Sequence, residues 1–115
     1  MTAMTDERLD ATFAALASAT RRAMLTRLAD GEATVTELAE PFDLTLPAVS
    51  KHLKVLEEAG LVHRHRRAQF RPCVLDPEAL DAASSWASAC RETWETRLDR
   101  LDTHLNRLNE KGRDR

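Results

Sequence analysis

Apolar residues recur at helical spacing along the first third of the chain, and this pattern predicts two amphipathic helices. The first helix covers residues 5–16, in which Leu9, Phe13 and Leu16 recur at helical spacing. The second covers residues 19–30, with Ser18 as its N-cap and Gly31 directly after its end. Its predicted core positions are Met24, Leu25 and Leu28. Its predicted solvent-facing positions are Arg21, Arg22 and Arg27.

A second pair of helices follows, with a short turn between them. Thr34 and Glu37 form a capping box, so a short helix begins there and ends near Pro41. Thr45 caps the next helix, which Gly60 ends. Its predicted core stripe is Val49, Leu53 and Leu56. The opposite face carries small residues and cations, namely Pro47, Ala48, Ser50, Lys51 and Lys54.

After Gly60 the pattern changes to two short extended segments. They cover residues 61–67 and 70–75, which leaves Ala68 and Gln69 for the turn of a β-hairpin. Pro72 gives no amide to a ladder, so we expect it on an edge strand or at a bulge.

Residues 76–111 have the pattern of one long helix, capped by Asp76 with Pro77 at its first position. Its apolar stripe is Leu80, Ala83, Ala87, Cys90, Trp94, Leu98, Leu101, Leu105 and Leu108. A helix of about 33 residues spans about 50 Å, whereas a compact chain of this length has a radius of gyration of about 13–14 Å. The apolar end therefore needs another subunit, and a symmetric homodimer is the commonest solution. The predicted dimer interface is Leu9, Phe13, Leu16, Trp94, Leu98, Leu101, Leu105 and Leu108.

Composition indicates one soluble domain over residues 1–115. Hydrophobic residues make up 43% of the chain and charged residues 31%. Residues 1–9 hold two acids and no apolar core, and no apolar run approaches the roughly 20 residues that span a bilayer. We expect a cytoplasmic protein with no membrane partner.

The net charge of −2 hides a basic block. Residues 45–75 hold six lysines and arginines against Glu57 and Glu58, a local balance of +4, and three histidines in addition. Such a block is a surface that a phosphate backbone can bind.

Helix, short turn, helix and basic hairpin are the elements of a winged helix-turn-helix. The predicted fold class is therefore mainly α with a small β-hairpin: a helix-turn-helix over 34–59, a wing over 61–75, and a long C-terminal dimerisation helix over 76–111. A helix that enters the major groove of double-stranded DNA needs small or polar residues and cations on one face. The candidate DNA contacts are Thr45, Pro47, Ala48, Ser50, Lys51, His52, Lys54, Arg64, Arg66, Arg67, Gln69 and Arg71.

These residues are also compatible with structural roles that do not involve DNA. His52 adjoins a core position and is as well suited to packing as to a base contact. The lysines are compatible with an ordinary solvated helix face, and hairpin charges also protect an edge strand from aggregation.

The segment VTELAEPFDLTLPAVSKHLKVLEEAGLVHRHRRAQFRPCVLDP, residues 35–77, closely resembles the ArsR-type bacterial transcription regulators. Residues 11–35 resemble the first two helices of that family, and the terminal helix resembles its dimerisation element. The resemblance implies a DNA-binding homodimer, usually a repressor whose DNA affinity is controlled by a signal. The wing departs from the family pattern because its tip has no glycine.

Metal sensing in that family uses residues that are incomplete here. A Cys-x-Cys pair in the helix before the recognition helix would fall where this chain has Glu37-Leu38-Ala39-Glu40. The terminal-helix type of site begins with Asp-x-His, as in Asp102-Thr103-His104, but no second histidine follows. Two ligands per chain cannot close a tetrahedral zinc site. We therefore expect no family-type metal site and no cofactor.

The two cysteines have separate interpretations. Cys90 lies on the stripe of the terminal helix and is expected to be a small core residue. Cys73 neighbours Arg71 and the basic hairpin, an environment that could favour a thiolate, so redox sensing stands beside packing. Trp86 and Trp94 are expected to pack in the core or the dimer, and a pocket around them could take a small-molecule signal.

An enzyme is not indicated, because the chain has no glycine-rich phosphate loop and no plausible nucleophile with a histidine and an orienting acid. The alternative to DNA binding is a winged-helix interaction module whose basic face docks an acidic protein. Such a module would more often show an exposed apolar patch on that face.

Overall fold

The structure, a computed structural model, describes residues 5–65 and 71–113. The elements in these ranges are α1 (Asp6–Leu16), α2 (Ala19–Ala29), α3 (Val35–Ala39), α4 (Leu46–Glu58), β1 (Val62–Arg64), β2 (Cys73–Leu75) and α5 (Pro77–Arg113). This order confirms the predicted winged helix-turn-helix with a long C-terminal helix.

The helices begin at the side chains that were predicted to cap them. The side-chain oxygens of Ser18, Thr34, Thr45 and Asp76 each accept a bond from a backbone amide of the first turn, at 3.0–3.3 Å. The capping box is complete, since Oε1 of Glu37 accepts from the Thr34 amide at 3.2 Å. The Thr34 backbone amide, and after it the Thr34 hydroxyl, which donates to the same Oε1 at 3.0 Å, lower the pKa of the Glu37 carboxyl.

Within the residues that the structure describes, the paired strands of the hairpin cover fewer residues than the pattern predicted. β1 pairs with β2 antiparallel over three residues each, with Val62 opposite Leu75 and Arg64 opposite Cys73. The predicted turn residues Ala68 and Gln69 lie outside the described residues. A further β-bridge was not predicted. Ala33 exchanges two backbone hydrogen bonds, of 3.1 and 2.7 Å, with Cys73 on the side of β2 that faces away from β1.

The chain divides into two units, one ending at Ala83 and one that begins at Ser84 and consists of the rest of α5. The core lies in the first unit, and its largest fully buried side chains include Met24, Leu38, Leu53, Leu56 and Leu61. The predicted core positions of α2 and α4 are buried without exception.

The helical spacing of Leu9 and Phe13 does not mark the buried face of α1, and their role in a dimer interface stays a prediction. The buried residues of α1 are Thr12 and Ala15, whereas Leu9 is half-buried and Phe13 is 40% exposed. Burial of Thr12 is possible because its hydroxyl donates to the Arg8 carbonyl at 2.9 Å. Leu16 is partly buried and packs against the core.

The apolar stripe of α5 contributes to the core only at its start. Ala79 and Ala83 are buried and Leu80 is partly buried, but Ala87 and Cys90 are exposed. The prediction that Cys90 is a core residue is therefore wrong for this chain, because the core ends at Ala83. No helix among the described residues has the length and apolar character needed to cross a membrane.

Candidate nucleic-acid interface

The helix α4 has one face in the core and one face in solvent. Val49, Leu53 and Leu56 are fully buried, which fixes the rotation of the helix. The Thr45 cap and Pro47 in the first turn fix where the helix begins. The residues on its other side are consequently presented outward by a rigid element.

The outward side holds the residues that sequence analysis assigned to DNA. Thr45, Pro47, Lys51 and Lys54 are exposed, while Ala48, Ser50 and His52 are half-buried. Within residues 5–65 and 71–113 neither lysine pairs with a carboxylate. Both ammonium groups are therefore available to a phosphate or a base edge.

His52 lies beside Arg21, which was predicted to face solvent but is half-buried. The Arg21 guanidinium donates through Nε to the Ala15 carbonyl at 2.7 Å and through Nη2 to the Ala14 carbonyl at 3.0 Å. Its Nη1 lies 3.5 Å from Nδ1 of His52. Arginine has no acceptor, so Nδ1 of His52 must accept this bond. The solvent-facing prediction for Arg21 is wrong, because its guanidinium joins the end of α1 to α4.

Arg64 is also engaged within the protein. Its Nε donates to Oε1 of Glu57 at 2.8 Å, and both side chains are partly buried. The pair joins the last turn of α4 to β1. Arg64 was predicted to contact DNA, and its pair with Glu57 was not predicted, since the two residues lie on either side of the Gly60 turn.

The remaining hairpin candidates are only partly described. Arg71 is exposed and has a positive φ of 39°, which is uncommon for a residue with a side chain. Arg66, Arg67 and Gln69 lie outside the described residues.

Cys73 is fully buried at the start of β2. Burial raises the pKa of its thiol, Arg64 lowers it, and Glu57 raises it further. The expectation that its basic neighbours favour a thiolate is wrong, since desolvation outweighs the effect of Arg64.

Two leucines near the start of α4 are exposed, and neither had a predicted role. Leu44 is 39% exposed and Leu46 is 49% exposed. Leu46 stands three residues before Val49, so its spacing matches the core stripe. It is nevertheless exposed because the core begins one turn later.

The predicted dimer residues of α5 share one exposed stripe. Trp94, Leu98, Leu101, Leu105 and Leu108 are between 44% and 60% exposed. Asp102 and His104 are exposed on the same helix. In the part of the chain that the structure describes, no three His, Cys, Asp or Glu side chains lie close enough to hold a metal ion.

The chain is similar to known DNA-binding regulators. Residues 16–65 match a family described as a helix-turn-helix domain. The transcriptional repressor SdpR of Bacillus subtilis (strain 168) is 34% identical over 74 residues, which are 64% of this chain and 82% of SdpR.

Solved structures extend the similarity to most of the chain. The crystal structure of the ArsR family transcriptional regulator RHA00566 has a TM-score of 0.74 and 42% identity, over 82% of this chain and 97% of that one. The solution structure of the homodimeric winged helix-turn-helix DNA-binding domain of Mb0332 from Mycobacterium bovis has a TM-score of 0.60 and 25% identity, over 84% and 93% of the two chains.

Proposed function

We propose that this chain, which belongs to the ArsR family of helix-turn-helix transcriptional regulators, represses transcription as a homodimer on a palindromic operator. Its general role is that of a DNA-binding regulator. Repression is proposed because the relative SdpR is a transcriptional repressor. As a regulator of this kind it would act in the cytoplasm and catalyse no reaction.

The observation that carries the proposal is the division of α4 into two faces. Its apolar stripe is fully buried, and its other side presents small, polar and cationic side chains of which Lys51 and Lys54 are exposed. Side chains near the start of a recognition helix contact base edges in the major groove. We assign base contacts to Ser50 and Lys51 and phosphate contacts to Lys54.

The hairpin supplies further cations beside α4. Arg66, Arg67, Gln69 and Arg71 are proposed to contact phosphates or the minor groove. Arg64 is left out of this group, since its Nε is already paired with Glu57.

The homodimer is proposed from the apolar stripe of α5. Five large apolar side chains, each at least 44% exposed, recur at spacings of three and four residues. A contiguous stripe of this kind marks a protein interface. The homodimeric state of the similar Mb0332 domain supports the same assembly. Two copies of α4 in a symmetric dimer would read a palindrome.

We propose that the signal that controls DNA binding is not a metal at the sites used elsewhere in the family. The residues at those positions do not supply a complete ligand set.

A docked acidic protein is the second candidate function. The exposed Leu44 and Leu46 favour it, since an apolar patch beside cations is suited to a protein partner. The cations beside them are equally suited to DNA, and the relatives are DNA-binding regulators.

Selection of binding sites from random double-stranded DNA tests the proposed function. The wild type should enrich a palindrome with half-sites about 10 bp apart or a multiple of that distance. Ser50→Ala and Lys51→Ala should each lose about 1–3 kcal/mol of preference for that palindrome. Arg67→Ala is the matched control and should weaken all sequences alike. Enrichment of no sequence, together with capture of an acidic protein, would favour the second candidate.

A further inference from the structure

We propose that the ion pair between Glu57 and Arg64 positions the hairpin for DNA binding, by holding it at the angle to α4 at which both elements contact one duplex. The inference rests on the proposed function and adds to it a positioning residue, Glu57, that does not touch DNA. An acidic residue of the recognition helix would then support the binding of a polyanion.

The pair spans the junction of the two elements. Glu57 lies in the last turn of α4 and Arg64 is the last residue of β1, and the chain reverses between them at Gly60, whose φ is +77°. The Nε–Oε1 distance is 2.8 Å. The side chains are 25% exposed for Arg64 and 35% for Glu57, so water screens the pair less than it screens a pair on an open surface.

Apolar packing and backbone pairing also hold the hairpin, since Leu61 and Val62 lie in the same buried cluster as Leu56 of α4. β1 is paired with β2, and β2 is paired with Ala33. At the turn, the Leu61 amide donates to the Leu56 carbonyl at 2.9 Å. Among residues 5–65 and 71–113, Glu57–Arg64 is the one side-chain hydrogen bond or ion pair that joins α4 to either strand.

The neighbouring Glu58 provides a matched comparison. It is exposed and, within the described ranges, is in no ion pair. Removal of a negative charge from a DNA-binding surface should raise affinity, because the charge repels phosphates. If Glu57 acts only through its negative charge, replacing either glutamate by glutamine should raise DNA affinity. If Glu57 positions the hairpin, the two variants should change affinity in opposite directions.

The test compares Glu57→Gln with Glu58→Gln on the DNA that the wild type selects and on a scrambled sequence. Glu57→Gln should weaken binding to both DNAs by about three- to tenfold, and the salt dependence should become flatter because hairpin cations reach fewer phosphates. Its preference for the selected DNA should stay within about twofold of the wild type, since α4 still reads the bases. Glu58→Gln should tighten binding by up to about twofold.

A charge swap separates positioning from a general loss of structure. Arg64→Glu should weaken binding, and Glu57→Arg combined with Arg64→Glu should restore it, because the pair re-forms with unchanged net charge. Thermal unfolding of each variant shows that it is folded at the assay temperature.

Three results would overturn the inference. The first is tighter DNA binding by Glu57→Gln. The second is a Glu57→Gln variant that loses its sequence preference while the salt dependence of its binding is unchanged. The third is a charge-swapped double variant whose DNA affinity does not recover. A wild type that selects no DNA would instead refute the proposed function. In that case the wild type fails before any variant is compared.

Discussion

The thiol of Cys73 shows how a single residue beside cations can remain neutral. It is fully buried, and burial raises its pKa more than Arg64 lowers it. The guanidinium of Arg64 is also paired with Glu57, whose negative charge acts on the thiol in the opposite sense. A cation that already has a partner therefore does little to create a thiolate.

We expect Cys73 to be unreactive in the folded protein. In a Cys90→Ser variant, which leaves Cys73 as the remaining cysteine, a thiol reagent should label the native protein far more slowly than the urea-unfolded protein. Labelling of the native variant at the rate of the unfolded chain would contradict the buried position and would reopen redox sensing.

The raised pKa of Cys73 also predicts a dependence of stability on pH. The folded state disfavours ionisation of this thiol. Its contribution to the free energy of unfolding is therefore complete below the pKa of the unfolded state, about 8.5, and is lost as pH rises through the pKa of the folded state. The free energy of unfolding of Cys90→Ser should thus fall in alkali more steeply than that of the Cys73→Ala, Cys90→Ser double variant. If the free energies of unfolding of the two variants fell in parallel with pH, the raised pKa of Cys73 would be contradicted.

Arg21 illustrates what single-residue reasoning on the sequence could not find. Its place on the polar side of α2 predicted a solvated side chain, yet it bonds the end of α1 and lies against His52, 31 residues further on. The same contact gives His52 a partner inside the protein through Nδ1, and its predicted base contact stays a prediction. Such contacts depend on how helices pack, and that information is not local.

At the scale of elements, the sequence was most informative where the chemistry is local. The capping box of Thr34 and Glu37 and the caps at Thr45 and Asp76 lie within four residues of the amides that they bind, so the helix starts could be predicted. The buried stripe of α4 followed from helical spacing alone.

The errors lie where distant segments meet. The pairing of Ala33 with Cys73 could not be seen because nothing near either residue indicates it. The burial of Thr12 was not predicted because it depends on how α1 packs against the other helices, although its own hydroxyl bond is local. The Glu57–Arg64 pair was missed for the same reason, since it depends on the turn between α4 and β1.

The apolar stripe of α5 leads us to predict that this helix forms the dimer interface. Leu101→Asp with Leu105→Asp places two charges in the stripe and should make the protein monomeric at micromolar concentration, as measured by sedimentation. Thr96→Asp with Thr103→Asp adds the same charge on the opposite side of α5, by helical spacing, and should leave a dimer. A dimeric leucine variant, or a monomeric threonine variant, would place the interface elsewhere.

At the scale of the whole molecule, the distribution of charge matters more than its sum. The net charge is −2, but residues 45–75, which include α4 and the hairpin, have a balance of +4. A dimer would present this block twice. DNA would therefore be held by one basic surface of an acidic protein, and its affinity should depend steeply on salt.

The salt dependence of binding to selected and scrambled DNA tests this account most directly. If the dimer neutralises about eight phosphates, log affinity should fall against log salt with a slope near −7, so that a fourfold rise in salt weakens binding by roughly four orders of magnitude. The selected sequence should keep its preference over the scrambled one at every salt concentration. Affinity that does not change with salt, or equal affinity for both sequences, would contradict the claim that α4 and the hairpin form a sequence-reading DNA interface.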